Sequence, residues 1–185
     1  MDIKYVSVTE ASAVFTKPIH IIGFEITGDS RFSFYDAAAA SSDATLLCDT
    51  LRGTSYWKNA NIVFPLPGLK LNSGLYISGG FDEGLVTVYY HEGKDSLKDI
   101  LWQPISEAGV QISTGPCELI GMDTWSSGFA AYDEADESET AANKVMQLLT
   151  GSYFFYANHI LSEPLVCNNG LYINDTGKGT VFYRK

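Results

Sequence analysis

Three cysteines, three histidines and one acidic run are the side chains here with the chemistry for nucleophilic, acid–base or metal-binding work. Cys48, Cys117 and Cys167 form no CxxC pair, so their spacing carries neither a zinc signature nor a complete disulfide framework. His20, His91 and His159 lie far apart, and nothing in the sequence places two of them beside a carboxylate or near a nucleophile motif. Asp133, Glu134, Asp136, Glu137 and Glu139 suggest calcium. An EF-hand loop counted from Asp133, however, needs Gly and Glu where Ser138 and Lys144 stand. Gly177-Lys178-Gly179 lacks the rest of a phosphate-binding loop and reads as a turn. No catalytic residue, cofactor or metal ligand is expected, and the chain is not expected to be an enzyme.

The elements that must position these residues follow from an internal repeat. Thr9-Glu10-Ala11 returns as Ser106-Glu107-Ala108, and Lys17-Pro18-Ile19-His20-Ile21-Ile22-Gly23 as Gly115-Pro116-Cys117-Glu118-Leu119-Ile120-Gly121. Phe32-Ser33-Phe34-Tyr35-Asp36 returns as Phe129-Ala130-Ala131-Tyr132-Asp133, Tyr56-Trp57 as Tyr153-Phe154, and Pro67 as Pro164. Asn72-Ser73-Gly74-Leu75-Tyr76-Ile77 returns as Asn168-Asn169-Gly170-Leu171-Tyr172-Ile173, and Thr87-Val88-Tyr89-Tyr90 as Thr180-Val181-Phe182-Tyr183. Order is kept throughout, and the largest change of spacing falls in a Gly-rich turn, where length changes belong. The chain therefore reads as a repeat over 1–92, a linker over 93–104 and a second repeat over 105–185. Cys117 falls opposite Ile19, Cys167 opposite Leu71, and Cys48 opposite Val145 or Met146. All three are expected to be small core residues with reduced thiols.

Each repeat reads as strands. Pro18–Thr27 and Arg31–Asp36 are β-favouring runs, while Leu75–Ile77 and Leu85–Tyr90 flank a Gly-rich turn with the look of a hairpin. Pro65 and Pro67 break the chain between strands. Glu137–Leu149 begins like a capped helix and is read as ending in strand, and Ser96 is a candidate cap for one helical turn stopped by Pro104. The fold class expected is all-β, two tandem homologous antiparallel sandwich or jelly-roll-like domains.

Composition narrows the partners. The chain is 45% hydrophobic and 13% aromatic with 17 Gly, which suits packed strands and turns. A net charge of -10 repels phosphate backbones and anionic headgroups, so neither nucleic acid nor a membrane surface is expected as partner. No apolar run approaches the roughly 20 residues needed to span a bilayer, and the first residues lack signal-peptide character, so synthesis in the cytoplasm is expected. In Gly74-Leu75-Tyr76-Ile77, alternation puts Leu75 and Ile77 inward and Tyr76 outward, with Tyr172 its counterpart. Tyr76, Tyr172, Trp57 and Trp125 are the candidate interface or glycan-contact residues.

The pattern Phe-x-x-Tyr-Asp, then Asn-x-Gly-Leu-Tyr-Ile and a closing Thr-Val-Tyr-Tyr, resembles small β-sandwich proteins of tailed-bacteriophage virions. The resemblance implies a non-enzymatic structural role in capsid decoration, cement or a head–tail interface. It also implies multi-copy contacts with other virion proteins after synthesis in the host cytoplasm. It carries over no catalytic or ligand residue. The alternative is a carbohydrate-binding or receptor-recognition module built on exposed aromatics.

Overall fold

The computed structural model describes residues 3–27, 32–41, 43–50, 59–79, 81, 84–92, 98–106, 109–124, 129–137, 143–148, 157–175 and 178–185. The chain divides into two compact units, Met1–Ile100 and Leu101–Lys185. Both are all-β, and among the described residues there is no α-helix.

The first unit contains β1 (Lys4–Val8), β2 (Ser12–Phe15), β3 (Ile19–Thr27), β4 (Phe32–Asp36), β5 (Thr45–Thr50), β6 (Asn59–Val63), β7 (Leu69–Leu71), β8 (Leu75–Gly79) and β9 (Leu85–His91). One sheet has the order β1-β9-β3-β6 with β7 also on β3, and the other β2-β8-β4-β5. Alternation on β3 sends Phe24 and Ile26 inward and Glu25 outward. The Phe24 ring meets Phe34 of the other sheet at 4.4 Å, and Phe15 meets Tyr90 at 4.6 Å, so the two sheets share one core.

The second unit contains β10 (Leu101–Ile105), β11 (Val110–Ser113), β12 (Cys117–Thr124), β13 (Phe129–Tyr132), β14 (Lys144–Leu148), β15 (Ala157–Cys167), β16 (Leu171–Asp175) and β17 (Gly179–Arg184). Its sheets run β10-β17-β12-β15 and β11-β16-β13-β14. This is the strand order of the first unit, with the long β15 in the place of β6 and β7 together. Its core draws Leu119, Met122 and Val181 from one sheet and Phe129, Leu171 and Ile173 from the other.

Irregularities recur at matching places. The ladder slips between Ile21 and Gly23 on β3 and between Leu119 and Gly121 on β12. It slips again between Phe34 and Tyr35 on β4 and between Ala131 and Tyr132 on β13. Cys48 pairs with Phe34 and Met146 with Ala131, which settles Met146 as the counterpart of Cys48. Glycine is required beside the first slip. A Cβ on Gly23 would lie 2.5 Å from the Ile62 carbonyl oxygen, and one on Gly121 would lie 2.5 Å from that of His159.

The Phe-x-x-Tyr-Asp motif has a direct physical role. Asp36, ending β4, accepts the backbone N–H of Asn72 at 3.1 Å and of Ser73 at 2.7 Å. Asp133 accepts those of Asn168 at 3.1 Å, Asn169 at 2.7 Å and Gly170 at 3.3 Å. These turns carry the chain from one sheet to the other, from β7 to β8 and from β15 to β16. Each carboxylate therefore fastens a crossover between layers. Gly74 closes its turn at φ 134°, a conformation that favours glycine.

Two expectations are corrected here. Leu75–Ile77 and Leu85–Tyr90 do not form a hairpin: β8 and β9 lie in different sheets, as do β16 and β17. Both strands of each pair have a buried side facing the same core, one from each sheet. The stretch 93–104 is not all linker. Ile100 is buried and bridges to Leu69, and Leu101–Pro104 belong to β10, an edge strand that tolerates the proline. Ser96 lies outside the described residues. The end of Glu137–Leu149 is strand, as read.

Replacing Asp36 by Ala removes two charge-assisted hydrogen bonds at a half-buried site, so chemical denaturation should show a loss of about 1–3 kcal/mol. Asp133→Ala should lose a comparable amount, and Asp36→Glu should not restore the loss.

Candidate functional site

The first unit gathers titratable groups at the β7 end of its first sheet. On β3, His20 pairs with His91 of β9 on one side and with Lys70 of β7 on the other, so the three form one row across three strands. Residues 98–100 lie over this row. Lys70 N–H reaches the Ile100 carbonyl at 3.4 Å, which holds Asp99 above the histidine. His20 Nε2 lies 3.0 Å from Asp99 Oδ1, and Lys70 Nζ donates to Asp99 Oδ2 at 2.6 Å. The two imidazoles stack at 4.9 Å with 14° between planes. His91, buried, has its Nε2 2.8 Å from the Pro67 carbonyl oxygen.

Hydrogen-bond chemistry assigns the tautomers. A carbonyl oxygen only accepts, so His91 Nε2 carries hydrogen. Lys70 first, and His20 second, hold the Asp99 carboxyl below its ordinary range, so it too accepts and His20 Nε2 donates. In each neutral ring Nδ1 is then the unprotonated nitrogen. Lys17, Pro18, Ile19, His20, Lys70, His91 and Glu92 line a cleft of about 400 Å³ beside the stack. Lys17 and Lys70 are balanced in formal charge by Glu92 of this lining together with Asp99 beside it. The dyad of His20 and Asp99 has the geometry of a general base. Among the described residues no hydroxyl or thiol hydrogen-bonds either ring.

This assembly was not legible from the sequence, which gave no sign of two histidines beside a carboxylate. Antiparallel register brings residues 20, 70 and 91 into one row, and Asp99 lay in the supposed linker. The same register in the second unit pairs Glu118 with Arg184, with 3.5 Å between charged atoms, so the cluster is particular to the first unit. His159, exposed on β15, takes no part.

The candidate aromatics fare unevenly. Tyr76 is half-buried, its ring 6.1 Å from Tyr35, and the two line a cleft of about 350 Å³ with Ala40, Ser41 and Ser78. Tyr172 is corrected: it points away from the core side but is only 5% exposed. Gly109, at φ 74°, lays the start of β11 over its hydroxyl, and the Tyr132 ring lies 6.4 Å away. Trp57 and Trp125 lie outside the described residues.

Sequence reasoning missed Tyr5, which is 71% exposed. Register aligns Tyr5, Tyr89, Gly23 and Val63 across β1, β9, β3 and β6 on the solvent side of the sheet. Tyr89 donates its hydroxyl to Glu25 at 3.0 Å. The matching row in the second unit is Trp102, Phe182, Gly121 and Ile160. The likeness of Tyr5 to Trp102 was the signal available, but Trp102 lay in the supposed linker.

Two residues of the acidic run have structural contacts. Asp133 holds its turn, and Glu134 accepts from Asn143 Nδ2 at 2.8 Å. Among the described residues no group of three His, Cys, Asp or Glu is arranged to hold a metal. Cys117 and Cys167 are buried free thiols, and the Cys48 side chain lies outside the described residues.

Because the folded state holds Asp99 below its ordinary value of 3.8, its ion pairs stabilise the first unit above that pH and lose their effect as acid protonates it. Asp99→Asn should flatten acid denaturation in that range and cost about 0.5–1 kcal/mol at neutral pH, read from denaturant midpoints. No protein-family model and no curated protein matches the chain.

Proposed function

We propose that the chain is a non-enzymatic structural component of a phage virion, a capsid decoration, cement or head–tail associated protein that works through protein–protein contacts. The observation that carries the reading is the solvent-side row on the first sheet. Tyr5 and Val63, 71% and 63% exposed, stand at its ends with Tyr89 between them. Large aromatic and aliphatic groups on a rigid, hydrogen-bonded surface lose little conformational entropy on binding, which suits them as interface anchors. The row alone is smaller than a stable interface of at least ~1,000 Å², so it would form the centre of a wider contact.

A second reading is a carbohydrate-binding or receptor-recognition module. Tyr5, Tyr89 and Glu25 favour it: an exposed ring face next to a carboxylate is a workable sugar platform. In this role Tyr5 and Tyr89 replace the buried Tyr172.

Purified particles from the producing culture discriminate the two. The structural reading predicts the chain in them at high copy number by quantitative mass spectrometry. The double variant Tyr5→Ser, Val63→Ser should keep its melting temperature and fall about tenfold or more in particle incorporation. Absence from particles, together with glycan binding by the isolated chain that Tyr5→Ala abolishes, would favour the second reading.

A further inference from the structure

Cys117, the first residue of β12, and Cys167, the last of β15, are direct partners in the antiparallel ladder. Residues so paired have Cα atoms about 4.5–5.5 Å apart, inside the roughly 4.4–6.8 Å that a disulfide spans. Their side chains lie on the same side of the sheet, and both belong to the core of the second unit. In the first unit the same rung is Ile19 with Leu71. Both positions of this rung are therefore cysteine in the second unit, and they are two of the three cysteines in the chain.

We propose that Cys117 and Cys167 are a single two-electron oxidation site, which a peroxide closes to a cross-strand disulfide. The pair is chemically asymmetric. The neighbouring Cys167 thiol favours the ionised form of the Cys117 sulfur, so Cys117 ionises more readily than an ordinary thiol. Cys167, beside that thiolate and buried, holds its proton more tightly. The Cys117 thiolate attacks one oxygen of the peroxide, which gives Cys117 sulfenic acid and releases hydroxide. The Cys167 sulfur then attacks the Cys117 sulfur as the S–O bond breaks, and its proton leaves with that oxygen as water. Two thiols lose two electrons and two protons, and hydrogen peroxide ends as two waters. Burial of both sulfurs makes the first step slow and favours a small oxidant. The new bond would tie β12 to β15 immediately before the turn that Asp133 holds.

Hydrogen peroxide on the reduced full-length chain tests this. Thiol titration after denaturation should fall from three to one, and intact mass should drop by about 2 Da without dimer formation. The melting temperature should rise by about 10 °C and return on reduction. Cys48→Ser should titrate from two to zero, and Cys167→Ser should stop at a sulfenic acid on Cys117 that dimedone traps. A bridge that includes Cys48, oxygen addition without cross-linking, or two unreacted thiols in Cys48→Ser would each overturn the proposal.

Discussion

Everything in this architecture turns on how the chain passes from one sheet to the other. A connection that crosses a core cannot use ladder hydrogen bonds at the crossing, so its amides need other partners. Asp36 and Asp133 supply them from the neighbouring sheet, each receiving consecutive backbone N–H groups of a turn that enters the next strand. The tyrosine before each aspartate packs near the tyrosine just after each turn, Tyr35 with Tyr76 and Tyr132 with Tyr172. The distant motifs of the repeat are thus the two halves of one contact. An ionised oxygen accepting two or three amides is stronger than a neutral acceptor, which suits a joint set near the edge of the core.

With that joint shared, the units differ on the rungs next to it. One rung holds Ile19 and Leu71 in the first unit and Cys117 and Cys167 in the second. Its neighbour holds His91, His20 and Lys70 in the first and Arg184 with Glu118 in the second. The first unit thereby gains a cleft lined by two stacked histidines and a lysine, and the second a pair of adjacent thiols. A ladder this regular fixes which side chains meet, so two substitutions on one rung are enough to change the chemistry of that end. The row through Gly23 and Gly121 keeps two adjacent aromatics in both units, although Phe182 is buried where its counterpart Tyr89 is half-buried.

The sequence disclosed the all-β class, the repeated motifs and the inward facing of Leu75 and Ile77, because alternation and Gly-rich turns are local signals. It did not disclose sheet membership. Leu75–Ile77 and Leu85–Tyr90 look like hairpin arms since nothing local distinguishes a turn that folds back from one that crosses to another sheet. The histidine cluster was hidden for the same reason: its members are neighbours only through register, and Asp99 arrives from a segment with no repeat partner. Tyr172 was read as outward from alternation, which was right about its direction and silent about the Gly109 turn that covers it. Cys117 and Cys167 were read correctly as core positions, but their mutual contact needed the pairing of β12 with β15.

The most direct test of this account is amide hydrogen exchange at Asn72, Ser73, Asn168 and Asn169, followed residue by residue by NMR. These backbone groups sit in exposed turns, so only the aspartate hydrogen bonds protect them. The account predicts exchange slowed by about a hundredfold or more relative to an open chain, with Asp36→Ala releasing Asn72 and Ser73 while Asn168 and Asn169 stay slow. Open-chain rates at all four amides in the unaltered protein would contradict it.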